Sequence, residues 1–133
     1  MHTRRMLIVD DEKDIRTVLK AFFEIKGFEV SEATDGVEAL EKINKESFDV
    51  VLTDLRMPGP DGLAVLKSVK PLWPETAVII LTGYPSSRNK ATAMQLGCDG
   101  FLSKPVRLEQ LWKTVGQTLA NEKDCEQEAQ VVR

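Results

Sequence analysis

Five side chains able to take part in chemistry share one kind of position, at or directly after the end of a short apolar run. Asp10 and Asp11 follow the first run, Asp54 ends the third, Thr82 follows the fourth and Lys104 follows the fifth. A carboxylate nucleophile, carboxylates that hold a divalent cation, a hydroxyl and an ammonium are the parts needed to move a phosphoryl group. In such a site Asp54 would attack phosphorus and become an acyl phosphate.

The apolar runs predict five β-strands that alternate with helices. The first, third and fourth, at 6–9, 50–54 and 77–81, are apolar nearly throughout, which is typical of interior strands in a parallel sheet. The second, at 28–33, alternates apolar and polar residues, which favours an edge strand. The fifth, at 100–103, is short. Apolar residues recur at helical spacing at 13–26, 35–45, 62–70 and 108–119, and we expect a further helix with few large apolar residues at 86–96.

Two local signals predict where helices begin and end. Asp35 followed by Glu38 resembles a capping box, which would start the second helix. Pro71 predicts that the third helix ends before it, because proline lacks the backbone N–H that an α-helix needs.

Regular alternation predicts one α/β domain, a doubly wound parallel sheet with helices on both faces. The polar second strand favours the flavodoxin-like order 2-1-3-4-5, which places that strand at an edge. Strands 1 and 3 are then neighbours, and their carboxyl ends carry Asp10, Asp11 and Asp54. Three converging carboxylates would either have raised pKa values or bind a cation, and hard oxygen ligands suit Mg²⁺ or Mn²⁺.

Composition and charge exclude several classes of protein. A chain of 133 residues suits one domain, which we place at 5–120, followed by a polar tail or the start of a linker at 121–133. The net charge of −3 gives no basic surface for nucleic acid, and no apolar run approaches the roughly 20 residues of a membrane helix. Cys98 and Cys125 have no paired spacing, which favours a cytoplasmic protein with free thiols.

Taken in order, these motifs resemble the signature of two-component response regulator receiver domains, of the kind seen in chemotaxis regulators. The motifs are the pair Asp10-Asp11, the segment 54–58 (Asp-Leu-Arg-Met-Pro), Thr82 and Lys104-Pro105. Each is unspecific alone, and it is their order on the predicted strands that gives the resemblance its weight. It covers about residues 5–120 and therefore nearly the whole chain.

The resemblance implies a role for each residue of the acidic cluster. Asp54 would be the phosphoacceptor, in a reaction that depends on Mg²⁺ or Mn²⁺. Asp11 would be the main metal carboxylate, with Asp10 assisting, often through water. The backbone carbonyl of Arg56 would complete the protein ligands.

It also implies a switch. Thr82 and Lys104 would contact the phosphoryl oxygens, and the Lys104–Pro105 peptide bond would be cis. Phe101 stands at the family's switch aromatic, where many relatives carry Tyr. A phosphoryl group on Asp54 would draw Thr82 inward, Phe101 would turn into the vacated space, and the face formed by helix 4, strand 5 and helix 5 would be remodelled.

Two large residues are expected to set the lifetime of the phosphoryl group. Relatives vary at the position two residues beyond the acceptor and at the position two residues beyond the Thr, which here are Arg56 and Tyr84. We expect both side chains to hinder the attacking water and to slow self-dephosphorylation.

The partners that the resemblance implies are a sensor histidine kinase or phosphotransfer protein and a downstream effector. A further partner would be a second copy of the chain, in a phosphorylation-dependent homodimer. We expect no direct binding of nucleic acid or membrane, and no catalysis beyond self-catalysed phosphotransfer and dephosphorylation. The resemblance leaves open whether the chain is a freestanding regulator or the N-terminal part of a larger transcriptional regulator.

Three rival functions fit the residues at the strand ends less well. A haloacid-dehalogenase-like phosphatase, the nearest alternative, also uses an Asp nucleophile with Mg²⁺ but needs a second Asp where this chain has Arg56. A flavin carrier needs a Ser/Thr/Gly-rich phosphate loop after the first strand, where residues 10–12 are acidic. A purely structural module would not need Asp, Thr and Lys at adjacent strand ends.

Overall fold

The structure, a computed structural model, describes residues 3–122, and in that range five strands alternate with five helices. The strands are β1 (Arg5–Val9), β2 (Glu29–Ala33), β3 (Val50–Asp54), β4 (Ala77–Thr82) and β5 (Gly100–Ser103). The helices are α1 (Lys13–Ile25), α2 (Gly36–Lys45), α3 (Gly62–Leu72), α4 (Ser87–Gln95) and α5 (Leu108–Glu122). All strand pairs are parallel, in the order β2-β1-β3-β4-β5. This arrangement confirms the predicted doubly wound sheet.

The sheet divides the core into two apolar layers. Along β1, Met6 and Ile8 face the layer that also contains α1 and α5, whereas Leu7 and Val9 face the layer of α2 and α3. Successive side chains of a strand point to opposite faces, so a strand buried on both faces is apolar at nearly every position. This requirement explains why the interior strands are recognisable as nearly continuous apolar runs.

The start of α2 differs in detail from the predicted capping box. The Asp35 carboxylate accepts from the Glu38 backbone N–H at 2.9 Å, as predicted. The Glu38 carboxylate, however, accepts from the backbone N–H of Thr34 at 2.7 Å and from its hydroxyl at 3.0 Å. This backbone hydrogen bond lowers the pKa of Glu38. The reciprocal bond thus reaches one residue further back than the motif specifies.

The predicted end of α3 was wrong. The helix includes Pro71 and ends at Leu72. The next residue, Trp73, donates its backbone N–H to the Val69 carbonyl at 2.7 Å and its indole N–H to the Ile43 carbonyl of α2 at 2.8 Å. These two bonds hold the last turn in place around the proline.

Helix α5 continues to Glu122, past the predicted domain end at residue 120. The rest of the predicted tail, 123–133, lies outside the described residues, as does Cys125. Cys98 is buried, and it forms no disulfide with any residue of the described part of the chain. None of the helices within 3–122 is long and apolar enough to cross a membrane.

A close backbone contact fixes the strand that carries Asp54. A Cβ atom at Gly62, the first residue of α3, would lie 2.5 Å from the Asp54 carbonyl oxygen. The Gly62 N–H also donates to the Leu55 carbonyl at 2.8 Å. Only a residue without a side chain lets α3 begin directly against the end of β3.

We therefore predict that Gly62→Ala lowers the free energy of unfolding by about 1–3 kcal/mol, because the new methyl group overpacks against backbone. The matched control is Gly116→Ala in α5, where no atom lies within 4 Å of the added Cβ. That variant should gain about 1 kcal/mol, because alanine is the better helix former. Urea denaturation followed by circular dichroism measures both, and equal stability of Gly62→Ala and wild type would contradict the prediction.

Candidate functional site

Parallel pairing brings the carboxyl ends of four strands to one edge of the sheet. The register pairs Val9 with Thr53 in β1 and β3, and Asp54 with Leu81 in β3 and β4. The residues that follow these positions are therefore neighbours in space, although they are far apart in the sequence. This edge is the place where ligands bind in open α/β sheets.

Three carboxylates meet at this edge. One oxygen from each of Asp10, Asp11 and Asp54 lies within 4.8 Å of the others. Asp10 and Asp54 are only 2% and 8% exposed, whereas Asp11 is exposed. Hard carboxylate oxygens at this spacing, open to solvent on the Asp11 side, fit a divalent cation such as Mg²⁺.

The ammonium group of Lys104 lies against the two buried carboxylates. Its Nζ donates to Asp10 Oδ2 at 2.9 Å and lies 3.3 Å from Asp54 Oδ2. The backbone places it there, because the Lys104 N–H donates to the Thr82 carbonyl at 2.7 Å at the end of the β4–β5 ladder. The Lys104–Pro105 peptide bond is cis, the isomer that the resemblance implied.

Glu12 joins this cluster, although the sequence analysis gave it no role. Its backbone N–H donates to Asp10 Oδ1 at 2.9 Å, and its carboxylate lies 3.9 Å from Lys104 Nζ. The sequence feature that could have pointed to Glu12 is its position directly after the pair Asp10-Asp11.

Burial and charge shift the protonation equilibria of the central pair. Burial raises the pKa of Asp54, Lys104 opposes this shift, and the nearby charge of Asp10 adds to it. Burial alone would lower the pKa of Lys104, but its hydrogen bond to Asp10 and the charges of Asp10 and Asp54 outweigh burial and raise that pKa. Lys104 therefore stays protonated beside an acidic cluster that its single charge cannot neutralise.

The side chain of Thr82 is fully buried at the end of β4. Its hydroxyl oxygen accepts from the Tyr84 backbone N–H at 3.0 Å, so in this structure the hydroxyl holds the turn after β4. The predicted switch aromatic, Phe101, is half-buried and packs against the α2–α3 core layer. It borders a cavity of about 290 Å³ whose other lining residues are Pro85, Ser86, Ser87, Lys90 and Ser103.

Arg56 and Tyr84 form a pair at the mouth of the site. The guanidinium carbon of Arg56 lies 5.0 Å from the centre of the Tyr84 ring. Both side chains are exposed, and both line a cavity of about 250 Å³ together with Asp11, Asp54 and Lys104. The spacing of Arg56 and Tyr84 in the sequence does not predict this cation–π contact.

Curated relatives of this chain are bacterial transcriptional regulators. ZraR of Escherichia coli K12 is 35% identical over 127 residues, which cover 96% of this chain and 29% of the relative. DltR of Streptococcus agalactiae is 37% identical over 107 residues, covering 80% of this chain and 48% of the relative. The chain thus spans less than half the length of either regulator.

Solved structures include close matches to the whole fold. A CheY-like response regulator receiver domain protein from Methanospirillum hungatei superimposes with a TM-score of 0.89 at 32% identity, covering 92% of this chain and 98% of that one. NtrX from Brucella abortus gives a TM-score of 0.83 at 29% identity, covering 99% of this chain and 30% of that one. The family model for the response regulator receiver domain matches residues 6–116. This chain therefore belongs to the receiver domain family of two-component response regulators.

Proposed function

We propose that this chain is a phosphorylation-dependent switch whose phosphoacceptor is Asp54. The observation that supports this most directly is the contact of Lys104 with two buried carboxylates, Asp10 and Asp54, beside an exposed third, Asp11. An oxygen of Asp54 would bond to the phosphorus of a phosphohistidine while the donor's P–N bond breaks. The products are an acyl phosphate on Asp54 and an unphosphorylated histidine on the kinase or phosphotransfer protein.

The acidic cluster would hold Mg²⁺, or Mn²⁺ in its place. Asp10, Asp11 and Asp54 supply carboxylate oxygens, and the backbone carbonyl of Arg56 is a further candidate ligand. When bound, the cation supplies positive charge that offsets the repulsion between the carboxylates and the incoming phosphoryl group. Lys104 would pass from the Asp54 carboxylate to a phosphoryl oxygen, a short movement because it already lies 3.3 Å from Asp54.

The switch would act through Thr82 and Phe101. The Thr82 hydroxyl would exchange its bond to the Tyr84 N–H for one to a phosphoryl oxygen, and Phe101 would turn toward the vacated space. Helix α4 suits a movable element, because Ala93 is its single buried residue and low burial means low local stability. Phosphorylation need only bias an equilibrium between two existing arrangements of the α4–β5–α5 face.

The relatives indicate what such a switch would control. Because ZraR and DltR are transcriptional regulators, we propose a transcriptional effector as the output partner and a cytoplasmic setting. A phosphorylation-dependent homodimer through the remodelled face is a further proposal, measurable by light scattering before and after addition of beryllofluoride.

Loss of the acceptor should abolish phosphorylation. Asp54→Asn, incubated with Mg²⁺ and acetyl phosphate, should take up no phosphoryl group, because a neutral carboxamide lacks the nucleophilic carboxylate oxygen that would attack phosphorus. Asp14→Asn, which removes an exposed carboxylate from the first turn of α1, is the control and should label like wild type. Intact-protein mass spectrometry measures the stoichiometry, and full labelling of Asp54→Asn would refute the assignment.

The same substitution should stabilise the metal-free protein at neutral pH. Because the pKa of Asp54 is raised in the folded state, folding favours its neutral form, and ionisation at pH 7 costs stability. Asp54→Asn should therefore raise the Tm at pH 7. The difference should shrink as the pH falls through the raised folded-state pKa toward the ordinary value of 3.8, and it should be lost below that value, where wild type is protonated in both states. Differential scanning calorimetry without divalent cations measures this, and a lower Tm for Asp54→Asn at pH 7 contradicts it.

The Arg56–Tyr84 contact should slow dephosphorylation as one unit. Arg56→Ala and Tyr84→Ala should each shorten the acyl-phosphate half-life, because either change opens the cavity above Asp54 to water. If the exposed cation–π contact is the cause, the double variant should shorten the half-life by a smaller factor than the two single variants multiplied together. The shortfall should be about two- to fivefold. Arg88→Ala, an exposed arginine of α4, is the control; strictly multiplicative effects would show that the two residues act independently.

A further inference from the structure

Arg16 of α1 contacts the backbone of the acidic cluster without reaching its carboxylates. Its Nη1 donates to the Asp10 carbonyl oxygen at 2.7 Å, and its Nε donates to Glu32 Oε1 of β2 at 3.1 Å. The side chain is only 11% exposed, so the guanidinium is held between the end of β1 and the neighbouring strand. No motif in the sequence predicts a role for Arg16 or Glu32.

The carbonyl that Arg16 binds belongs to the peptide unit joining Asp10 to Asp11. That unit is planar, so its orientation decides where both Cα atoms direct their side chains. The N–H of Asp10 is already held by the Ala33 carbonyl at 3.1 Å. Within 3–122 the Asp11 carboxylate makes no hydrogen bond of its own, so its direction depends on this backbone.

We propose that Arg16, oriented by Glu32, is a positioning residue for cation binding at the acidic cluster. The inference rests on the proposed function, because it concerns the same metal site. An arginine suits the task, since two of its N–H groups point in different directions and bind two acceptors at once. A lysine ammonium at this position would offer a single nitrogen in place of the two separated nitrogens that bind the Asp10 carbonyl and the Glu32 carboxylate.

The charge of Arg16 and its positioning role predict opposite changes in Mg²⁺ affinity when the residue is replaced, so one titration separates them. Arg16 is a cation near a cation site, so electrostatics alone predicts that its removal tightens Mg²⁺ binding. Positioning predicts the reverse, because the Asp10–Asp11 peptide loses its anchor. Lys20 offers the matched control: its ammonium lies 3.6 Å from Glu32 Oε2, on the other oxygen of the same carboxylate, and makes no contact with Asp10 within the described residues.

The experiment is Mg²⁺ titration by isothermal calorimetry on wild type, Arg16→Gln, Arg16→Lys and Lys20→Gln. Arg16→Gln should weaken Mg²⁺ binding by about tenfold or more, the usual cost of losing a residue that orients a metal ligand. Arg16→Lys keeps the charge and should also bind less tightly than wild type. Lys20→Gln removes a comparable charge and should bind Mg²⁺ as tightly as wild type or slightly more tightly.

Melting curves without Mg²⁺ show whether each variant is folded at the titration temperature. If Arg16→Gln is unfolded at that temperature, Arg16→Lys is the decisive variant. Unchanged or tighter Mg²⁺ binding by folded Arg16 variants overturns the positioning role, while wild-type Mg²⁺ binding and labelling of Asp54 leave the proposed function intact. Absence of Mg²⁺ binding by wild type overturns both.

Discussion

The contact between the Lys104 ammonium and the carboxylates of Asp10 and Asp54 is the constraint on which the arrangement depends. It joins residues 94 positions apart and forms only if β1, β3 and β5 take their places in one sheet. Buried charges are tolerated when they are paired, so removing the Lys104 ammonium would leave the two buried carboxylates uncompensated. The pairing is nevertheless incomplete, because one ammonium lies beside a cluster of three carboxylates, Asp10, Asp11 and Asp54. Folding therefore builds a site that retains unbalanced negative charge.

Much of the architecture could be predicted because burial on both faces leaves a simple trace in the sequence. The observed bounds of β3 and β5, Val50–Asp54 and Gly100–Ser103, coincide with the predicted runs. The polar second strand correctly indicated an edge. Local detail was less predictable: Pro71 lies inside α3, where the indole N–H of Trp73 bonds to the Ile43 carbonyl of α2 and holds the last turn, and no local rule contains that tertiary bond.

The sequence predicts where the residues of the site lie better than it predicts which side chains touch. Strand order alone places Asp10, Asp54 and Lys104 at one edge, since the carboxyl ends of parallel strands coincide. The stacking of Arg56 on Tyr84 depends instead on side-chain rotamers and on two loop conformations, which spacing does not encode.

The edge strand β5 separates Lys104 from the buried centre of the sheet. It is the shortest strand described, it pairs only with β4, and none of its four residues is buried, whereas every residue of β3 and β4 is. Lys104 follows β5 directly, whereas Asp54 ends the buried strand β3, so the ammonium and the carboxylate 3.3 Å away stand on parts of the sheet that differ in burial. Because low burial means low local stability, the ammonium stands on the less stable of these two supports and the carboxylate on the more stable one.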